Sequence, residues 1–362
     1  MWSVSIILLN YNWKEFNKPC IDSILGQNYH DFEIIFVDDA STDTSLEEVK
    51  ECYQQEIYNK KIIIVENLEN TWFAWSSNLW VKNVSKKSEY ICFLNNDTIV
   101  PNNWLEELIK WIESDMKLWG VWSIILNHWM EAQIKHKIFD DKNIVTSSFF
   151  SESVWKKIPD NEFKKWIFHV SVVSWCCFLY RKKLVNEPFK DYYFAYSEDF
   201  FLSWIILLQW YKLAIVWNSL VYHVGSGSFG REPSDFKLFH WNKNQIINFL
   251  VFYNRWIKLK LFPLFLLIQL WHLFVNVPWK RFKAKYKSWI RIYKNWWKIK
   301  KTKKYIMSNA KITQNSFLKQ LSCKFNDEVF FVQQKKWQIM IIKITNKIFR
   351  FYCKILLIPF EK

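Results

Sequence analysis

The stretch YICFLNNDTIVPNNWLEEL, Tyr90 to Leu108, carries three signals in a fixed order. A continuous apolar run, Tyr90–Leu94, suits a strand buried on both faces. A short-chained polar group, Asn95-Asn96-Asp97-Thr98, follows it directly. After Pro101 an amphipathic segment begins, Trp104–Glu113, which reads as a helix. Strand, polar turn and helix form the repeating unit of an α/β sheet, where ligands sit beyond the carboxyl ends of the strands.

The same unit recurs upstream. Val4–Asn10 (VSIILLN), Phe32–Val37 (FEIIFV) and Ile62–Val65 (IIIV) are further strand candidates, and Lys14–Leu25, Ser45–Tyr53 and Ala74–Val84 are helix candidates. Alternation at this pitch predicts an α/β fold with a mainly parallel sheet. The strand ends are polar here too: Asn10-Tyr11-Asn12, then Asp38-Asp39-Ala40-Ser41-Thr42-Asp43, then Asn67. Asp and Asn also cap helices at such turns, and DDASTD alone reads equally well that way. Four polar ends in series favour a ligand edge suited to a base, a ribose and a hard cation. No G-x-G-x-x-G or G-x-x-x-x-G-K-[ST] pattern occurs, which disfavours a dinucleotide site or a P-loop. A diphosphate bound at this edge needs a metal, with Asp97 as the natural carboxylate and Mg2+ or Mn2+ as the matching ion.

A second constellation lies downstream in FKDYYFAYSEDFFLSW, Phe189 to Trp204, and VYHVGSGS, Val221 to Ser228. Glu198 and Asp199 open an amphipathic segment, where the helix dipole favours acids whatever else they do. His223 follows the strand-like runs Lys212–Val216 and Leu220–Tyr222. A lone histidine after a strand is usually structural, and beside a carboxylate-rich edge it also reads as a metal ligand.

The net charge of +16 is unevenly spread. Residues 1–235 hold 23 basic against 31 acidic side chains, whereas residues 236–326 hold 20 basic and no acidic ones. The shift predicts a catalytic-type domain over 1–235, a basic apolar helical segment over 236–310, and a linker with an amphipathic tail over 311–362. Leu259–Trp279 is apolar but interrupted by Pro263, Gln269, His272, Asn276 and Pro278, which favours an interfacial or re-entrant helix over a full span. Lys280–Lys304 carries 12 basic residues interleaved with Trp, Tyr and Ile. Next to an apolar segment this predicts contact with anionic lipid at the cytoplasmic face of the cell membrane, peripheral or monotopic. A nucleic-acid arm is the alternative reading of the same pattern. The seven cysteines lack metal-like spacing and read as reduced, buried thiols. SVSIILLN is short and has no basic lead, so it is read as a strand and not as a signal peptide.

In their order and spacing, VSIILLNYN, FEIIFVDDASTD, NTWFAW, YICFLNNDTIVPNNWLEEL, VSWCCFLYRK, YFAYSEDFFLSW and YHVGSGS resemble the family 2 nucleotide-sugar glycosyltransferases, in their rhamnosyltransferase-like branch, across residues 3–230. The resemblance implies a GT-A fold, a Rossmann-like and mostly parallel sheet flanked by helices, followed by a membrane-associated helical region. It implies an inverting, metal-dependent, hexosyltransferase-type enzyme of cell-envelope polysaccharide. Asn10, Tyr11, Asn12, Asp38, Asp39, Ser41, Asn78, Asn95 and Asn96 would hold the nucleotide sugar. Asp97 and His223 would face a divalent metal, Mg2+ or Mn2+, and Asp199 would be the general base with Glu198 beside it. The implied partners are a nucleoside-diphosphate sugar donor, a glycan or lipid-linked acceptor and an anionic membrane surface, with no nucleic acid. Phe201 and Ile205 stand where the family usually has Asp and often Arg. They keep open a non-catalytic relative that only binds a sugar nucleotide or glycan.

The chain holds 24 Trp and only 5 Gly, whereas an average share of about 7% would give roughly 25 glycines. The resemblance puts glycine at Trp13, Trp72, Trp75, Trp80, Trp122, Trp175 and Trp210, and tolerates Trp at Trp104 and Trp204. The expectation is that UGA codons meaning glycine in the source organism are written here as tryptophan.

Overall fold

The computed structural model describes residues 3–70, 84–127, 143–149, 151, 153–157, 167–174, 176–184, 192–193, 196–224, 234–274, 278–324 and 336–360. The expected helix Ala74–Val84, together with Asn78, Trp72, Trp75, Trp80 and Trp175, lies outside the described residues, Val84 excepted.

Four strands form in register as one parallel block: β1 (Val4–Asn10), β2 (Phe32–Asp38), β3 (Ile62–Glu66) and β4 (Tyr90–Asn95), in the order β3-β2-β1-β4. Their residues alternate between two cores. Ile6, Leu8, Ile34 and Phe36 face one layer, while Ile7, Ile35 and Val37 face the other. Such strands carry apolar side chains at every position because helices cover both faces.

The sheet continues through β10 (Cys177–Arg181), β6 (Leu118–Asn127) and β11 (Lys212–His223), with β5 (Thr98–Ile99) and β9 (Ile167–Val170) antiparallel to β11. Strand β10 runs antiparallel to both β4 and β6. The sheet is therefore mixed in its second half, where a mainly parallel one was expected. Two antiparallel pairings restore the direction, so β11, which is parallel to β6, points the same way as β1, β2 and β4. His223 thus ends its strand on the same edge as Asn10, Asp38 and Asn95. The two strand-like runs expected over 212–222 are one strand with a register shift between Val216 and Leu220.

One face of the sheet is covered by α1 (Lys14–Leu25), α2 (Ser45–Cys52) and α4 (Trp104–Ser114), with the short α3 (Gln54–Tyr58) at the margin. The other face is covered by α5 (Glu198–Leu208) and by helices from the basic C-terminal third. These are α6 (Asp235–Phe252), α7 (Arg255–Phe274), α8 (Pro278–Lys294), α9 (Trp296–Asn309) and α11 (Lys336–Ile355). Residues expected to be a linker instead form α10 (Gln314–Leu318), which drives Phe317, Leu318 and Leu321 into the core at 0% exposure. Fully burying one such side chain contributes about 1.5–3 kcal/mol. The C-terminal third therefore packs on the sheet through a shared aromatic core: Trp204 meets Phe252 at 5.2 Å and Phe317 at 5.5 Å. Helix α7 runs unbroken through Pro263, and Pro278 is the first residue of α8.

Candidate active site

The carboxyl edge of the sheet gathers the polar strand ends into one network. Asn10 is fully buried, and its amide nitrogen lies 2.7 Å from Asp38 Oδ1, 2.8 Å from Ser45 Oγ and 3.0 Å from Ser41 Oγ. Its amide oxygen accepts from Asn17 at 2.9 Å and from Asn96 at 3.4 Å. The second oxygen of Asp38 accepts the Ser41 N–H at 2.9 Å. Asp38, at 3% exposure, thus spends both oxygens on the chain and holds the β2 turn in shape. Asp39 accepts from Asn67 at 2.7 Å. Asn12 adopts φ 57, and its side-chain oxygen accepts the N–H groups of Thr42 and Asp43 at 2.7 and 3.3 Å, closing the β1 and β2 turns over each other. Tyr11, at 37% exposure, presents an aromatic ring on this edge.

Asp97 and His223 meet because β5 folds back from β4 and pairs Thr98 with His223. The Val224 N–H donates to the Asp97 carbonyl at 3.0 Å and fixes the crossing. His223 Nε2 then lies 3.1 Å from Asp97 Oδ1, with the side chains 19% and 12% exposed. The same nitrogen is 3.2 Å from Asn95 Nδ2. One imidazole nitrogen cannot donate to Asp97 and accept from Asn95 at once. A divalent cation held by Asp97 and by a lone pair on Nε2 would remove that conflict. Among the described residues no cluster of three or more His, Cys, Asp and Glu forms. A metal here would take its remaining ligands from a substrate and water, which suits Mg2+ or Mn2+.

Glu198 and Asp199 stand at the start of α5. That helix runs away from the carboxyl edge and β11 returns to it, so the carboxylate pair and His223 share one end of the fold. Two consecutive non-glycine residues, Tyr196 (φ 64) and Ser197 (φ 60), precede the pair in the left-handed region. Such strain persists only where surrounding structure enforces it, and it clusters at functional sites. Asp199 Oδ1 accepts the Phe200 N–H at 2.8 Å, and Glu198 Oε2 is buried without a hydrogen-bond partner. Burial pushes both carboxyls above the usual carboxylate range, and the Asp199 charge raises Glu198 further. Two neighbouring acids held near neutrality can accept and pass on a proton.

The clamp that enforces the strain comes from α6, which sequence reasoning missed. Asn244 Nδ2 donates to the carbonyls of Tyr193 and Tyr196 at 3.0 and 2.6 Å. Lys243 Nζ donates to the carbonyls of Tyr192 and Tyr193 at 2.6 and 3.0 Å. The Tyr193 hydroxyl donates to Asn248. Burial and the charge of Arg291 lower Lys243 to about 7, and burial lowers His240 to about 3. The available signal was NKNQIIN, Asn242–Asn248, a polar run inside an otherwise apolar helix.

Phe201 does not face this edge. It is 1% exposed and packs on Tyr193 at 4.6 Å and Phe252 at 5.4 Å. The C-terminal layer supplies an aromatic socket at this position, so the departure at Phe201 repacks the core behind the site.

Trp210 offers the sharpest test of the glycine expectation. It follows α5 at φ 70, with its N–H on the Leu207 carbonyl at 3.0 Å and the Tyr211 N–H on the Ile206 carbonyl at 3.3 Å. That is a Schellman motif with tryptophan in the left-handed position normally held by glycine. Trp13 differs: it caps α1 at φ −126, where any residue fits. Trp104 is fully buried and its indole donates to Ser123 Oγ at 3.0 Å, as a genuine tryptophan does.

With this geometry in view, similarity to known proteins covers the strand ends from Asn10 to Asp97, while the family match stops short of Glu198, Asp199 and His223. The family model described as Glycosyl transferase family 2 matches residues 5–189. An uncharacterized glycosyltransferase of Haemophilus influenzae is 27% identical over 153 residues, covering 42% of this chain and 43% of that protein. The chain covers less than half the length of the curated relatives it matches. By shape it is similar to the crystal structure of GalNAc-T7 with UDP, GalNAc and Mn2+, with TM-score 0.57 and 14% identity over 70% of this chain and 49% of that one. It is also similar to S. aureus TarS 1-349 in complex with UDP-GlcNAc, with TM-score 0.53 and 15% identity over 85% of this chain and 88% of that one. Both structural likenesses bear on the GT-A-like fold alone.

Proposed function

The chain belongs to glycosyl transferase family 2, and from that premise we propose that it moves a sugar from a nucleoside-diphosphate sugar to an acceptor hydroxyl by a single, inverting displacement. The observation that carries this reading is the pairing of two separate acidic stations at one end of the fold, Asp97 with His223 on the sheet edge and Asp199 at the start of α5. Solved neighbours of this fold hold UDP or UDP-GlcNAc, which is consistent with a nucleotide-sugar donor here.

In this reading Asp97 and His223 would hold a divalent ion, whose positive charge would offset the negative charge developing on the departing diphosphate. Asn10, Asn12, Asp38, Asp39 and Ser41 shape the two turns that receive the base and ribose, with Tyr11 offering its ring, and the family resemblance alone adds Asn78, Asn95 and Asn96 to the nucleotide-sugar site. Asp199 takes the proton from the acceptor hydroxyl as that oxygen bonds to the anomeric carbon and the carbon–oxygen bond to the nucleoside diphosphate breaks. Burial raises both carboxyls and the Asp199 charge raises Glu198 further, which favours one carboxylate charge on the pair over two. Among the described residues no side chain is nominated as a covalent nucleophile beneath the sugar, and the reading is of a single displacement.

The finer expectations belong to the same proposal: rhamnosyltransferase-like and hexosyl specificity, and a glycan or lipid-linked acceptor of the cell envelope. Residues 1–235 act as the transferase unit and the C-terminal helices as its membrane-facing side, at the cytoplasmic face. Support comes from α7, whose stretch Arg255–Leu273 is long and apolar enough to cross a membrane by length and composition, and 39% of which is buried within the fold. It comes also from large apolar side chains left exposed on α7, among them Trp256 at 73% and Leu259 at 58%. Reading UGA as glycine belongs here too, supported by Trp210 in its left-handed cap.

The test is release of nucleoside diphosphate by the purified full chain, across uridine- and deoxythymidine-diphosphate sugars, with and without Mn2+. Metal-dependent release from at least one donor is expected. Binding of UDP without turnover of any donor, with acceptor-bearing membranes present, contradicts the reading.

A further inference from the structure

Three helices of the C-terminal third each bury a polar pair at helical spacing: Asn242 and Gln245 on α6, Gln269 and His272 on α7, and Arg281 and Lys285 on α8. All six side chains belong to residues at least nine-tenths buried. Gln269 and His272 are two of the polar interruptions in the apolar run Leu259–Trp279, and this cluster accounts for them.

Lys285 is the hub. Its ammonium donates to Asn242 Oδ1 at 2.9 Å and to Gln269 Oε1. A lysine only donates, so both amides must turn their oxygens toward it, which fixes the opposite placement of their nitrogens. Asn242 Nδ2 and Gln269 Nε2 are both buried without a hydrogen-bond partner. A buried donor lacking an acceptor is costly, and native folds rarely keep two of them around one lysine.

A cavity of about 10 Å3 lies against the cluster, with Asn242, Gln245, His272, Arg281 and Lys285 in its wall. It has room for about one sphere of water size and none for a phosphate or a sulfate. Among the described residues none in its wall is acidic, and residues 236–326 contain no Asp or Glu at all. A water in this space accepts from the orphaned donor but brings two protons of its own, and both amide oxygens are already given to Lys285. A monoatomic anion accepts from every donor, carries no proton and sets negative charge beside two buried cations.

We propose that this cavity binds one monoatomic anion of the halide class, such as chloride, which ties α6, α7 and α8 together. The site touches no group assigned to sugar transfer and stands whether or not that reading holds. Asn242 is followed directly by Lys243 and Asn244, which grip the Tyr192, Tyr193 and Tyr196 carbonyls. The anion therefore steadies the helix from which that clamp projects.

The test uses the full chain purified without halide, in gluconate buffer, with chloride or bromide replacing gluconate at constant ionic strength. Either halide should raise the melting temperature by at least about 2 °C along a curve that saturates as a single site does. No rise, or a rise that never saturates, overturns the proposal. Asn242→Asp places a carboxylate of the same shape on Lys285 and should lose the halide response. A full response in that variant also overturns it. A second measurement does not depend on the variant folding: crystals of the unaltered chain soaked in bromide should show an anomalous peak in the cavity beside Asn242, Arg281 and Lys285. A water there, with no bromide signal, overturns the assignment.

Discussion

His223 Nε2 stands 3.1 Å from Asp97 Oδ1, and the contact is built by the pairing of β5 with β11, which lays Thr98 against His223. Removing the imidazole leaves the ladder in place and deletes one of the two side chains offered to a metal. His223→Ala should therefore raise the Mn2+ concentration for half-maximal nucleoside-diphosphate release by about tenfold or more, since even outer partners of a metal are worth about 10–100-fold. Donor turnover as a function of Mn2+ measures this, and an unchanged metal requirement removes His223 from the site.

The Asp199 carboxyl is raised by burial to about 7, and only its ionised form can take a proton. With saturating metal, kcat/KM should rise with pH through about 7 and level off above it. Stability should run the other way. The unfolded carboxyl loses its proton at ordinary carboxylate pH while the folded one keeps it, so the folded state is weakened as pH climbs from about 4 to about 7. Asp199→Asn should then melt higher than the unaltered chain at pH 8, and the gap should close toward pH 4. A constant gap across that range contradicts the raised carboxyl.

Trp210 sits at φ 70 in the cap that ends α5. A side chain in the left-handed region costs roughly 1–2 kcal/mol. Lys117 recovers part of that by lying over the indole at 4.0 Å, a contact worth about 0.5–1 kcal/mol at an exposed site. Trp210→Gly should therefore stabilise the chain by roughly 0.5–1 kcal/mol. Urea unfolding measures it, and a loss of stability would show that the tryptophan is suited to its place.

Asn244 holds the backbone just ahead of the Glu198–Asp199 pair through the Tyr193 and Tyr196 carbonyls. Asn244→Ala leaves two buried acceptors with one fewer donor, at a cost of about 1–3 kcal/mol. The strained Tyr196–Ser197 turn should relax, and kcat should fall while KM for the donor stays within about twofold. A fall in stability with kcat unchanged would make Asn244 a residue of the core alone.

Much of the donor side was legible in the sequence because it is local. Each polar group sits at the end of its own apolar strand, so Asn10, Asp38 and Asn95 could be placed on one edge before any pairing was known. The Asp97–His223 contact depends on β10 and β6 reversing direction twice, and that long-range pairing leaves no periodic trace. The clamp from α6 was hidden for another reason: Lys243 and Asn244 point at backbone carbonyls, which no side-chain motif records, and Asn248 accepts from the distant Tyr193 hydroxyl. Phe201 looked like a lost functional residue until its socket was seen, because the aromatic partners Tyr193 and Phe252 come from segments on either side of it in the chain.

The central claim is that Asp199 moves the acceptor's proton and does not hold the donor. The most direct measurement pairs UDP–Mn2+ affinity with the rate of sugar transfer in Asp199→Asn, using the full chain and its own membrane fraction as acceptor. The account predicts UDP affinity within about twofold and a transfer rate lower by about 10²–10⁴. Transfer at the normal rate, or loss of UDP binding together with transfer, contradicts it.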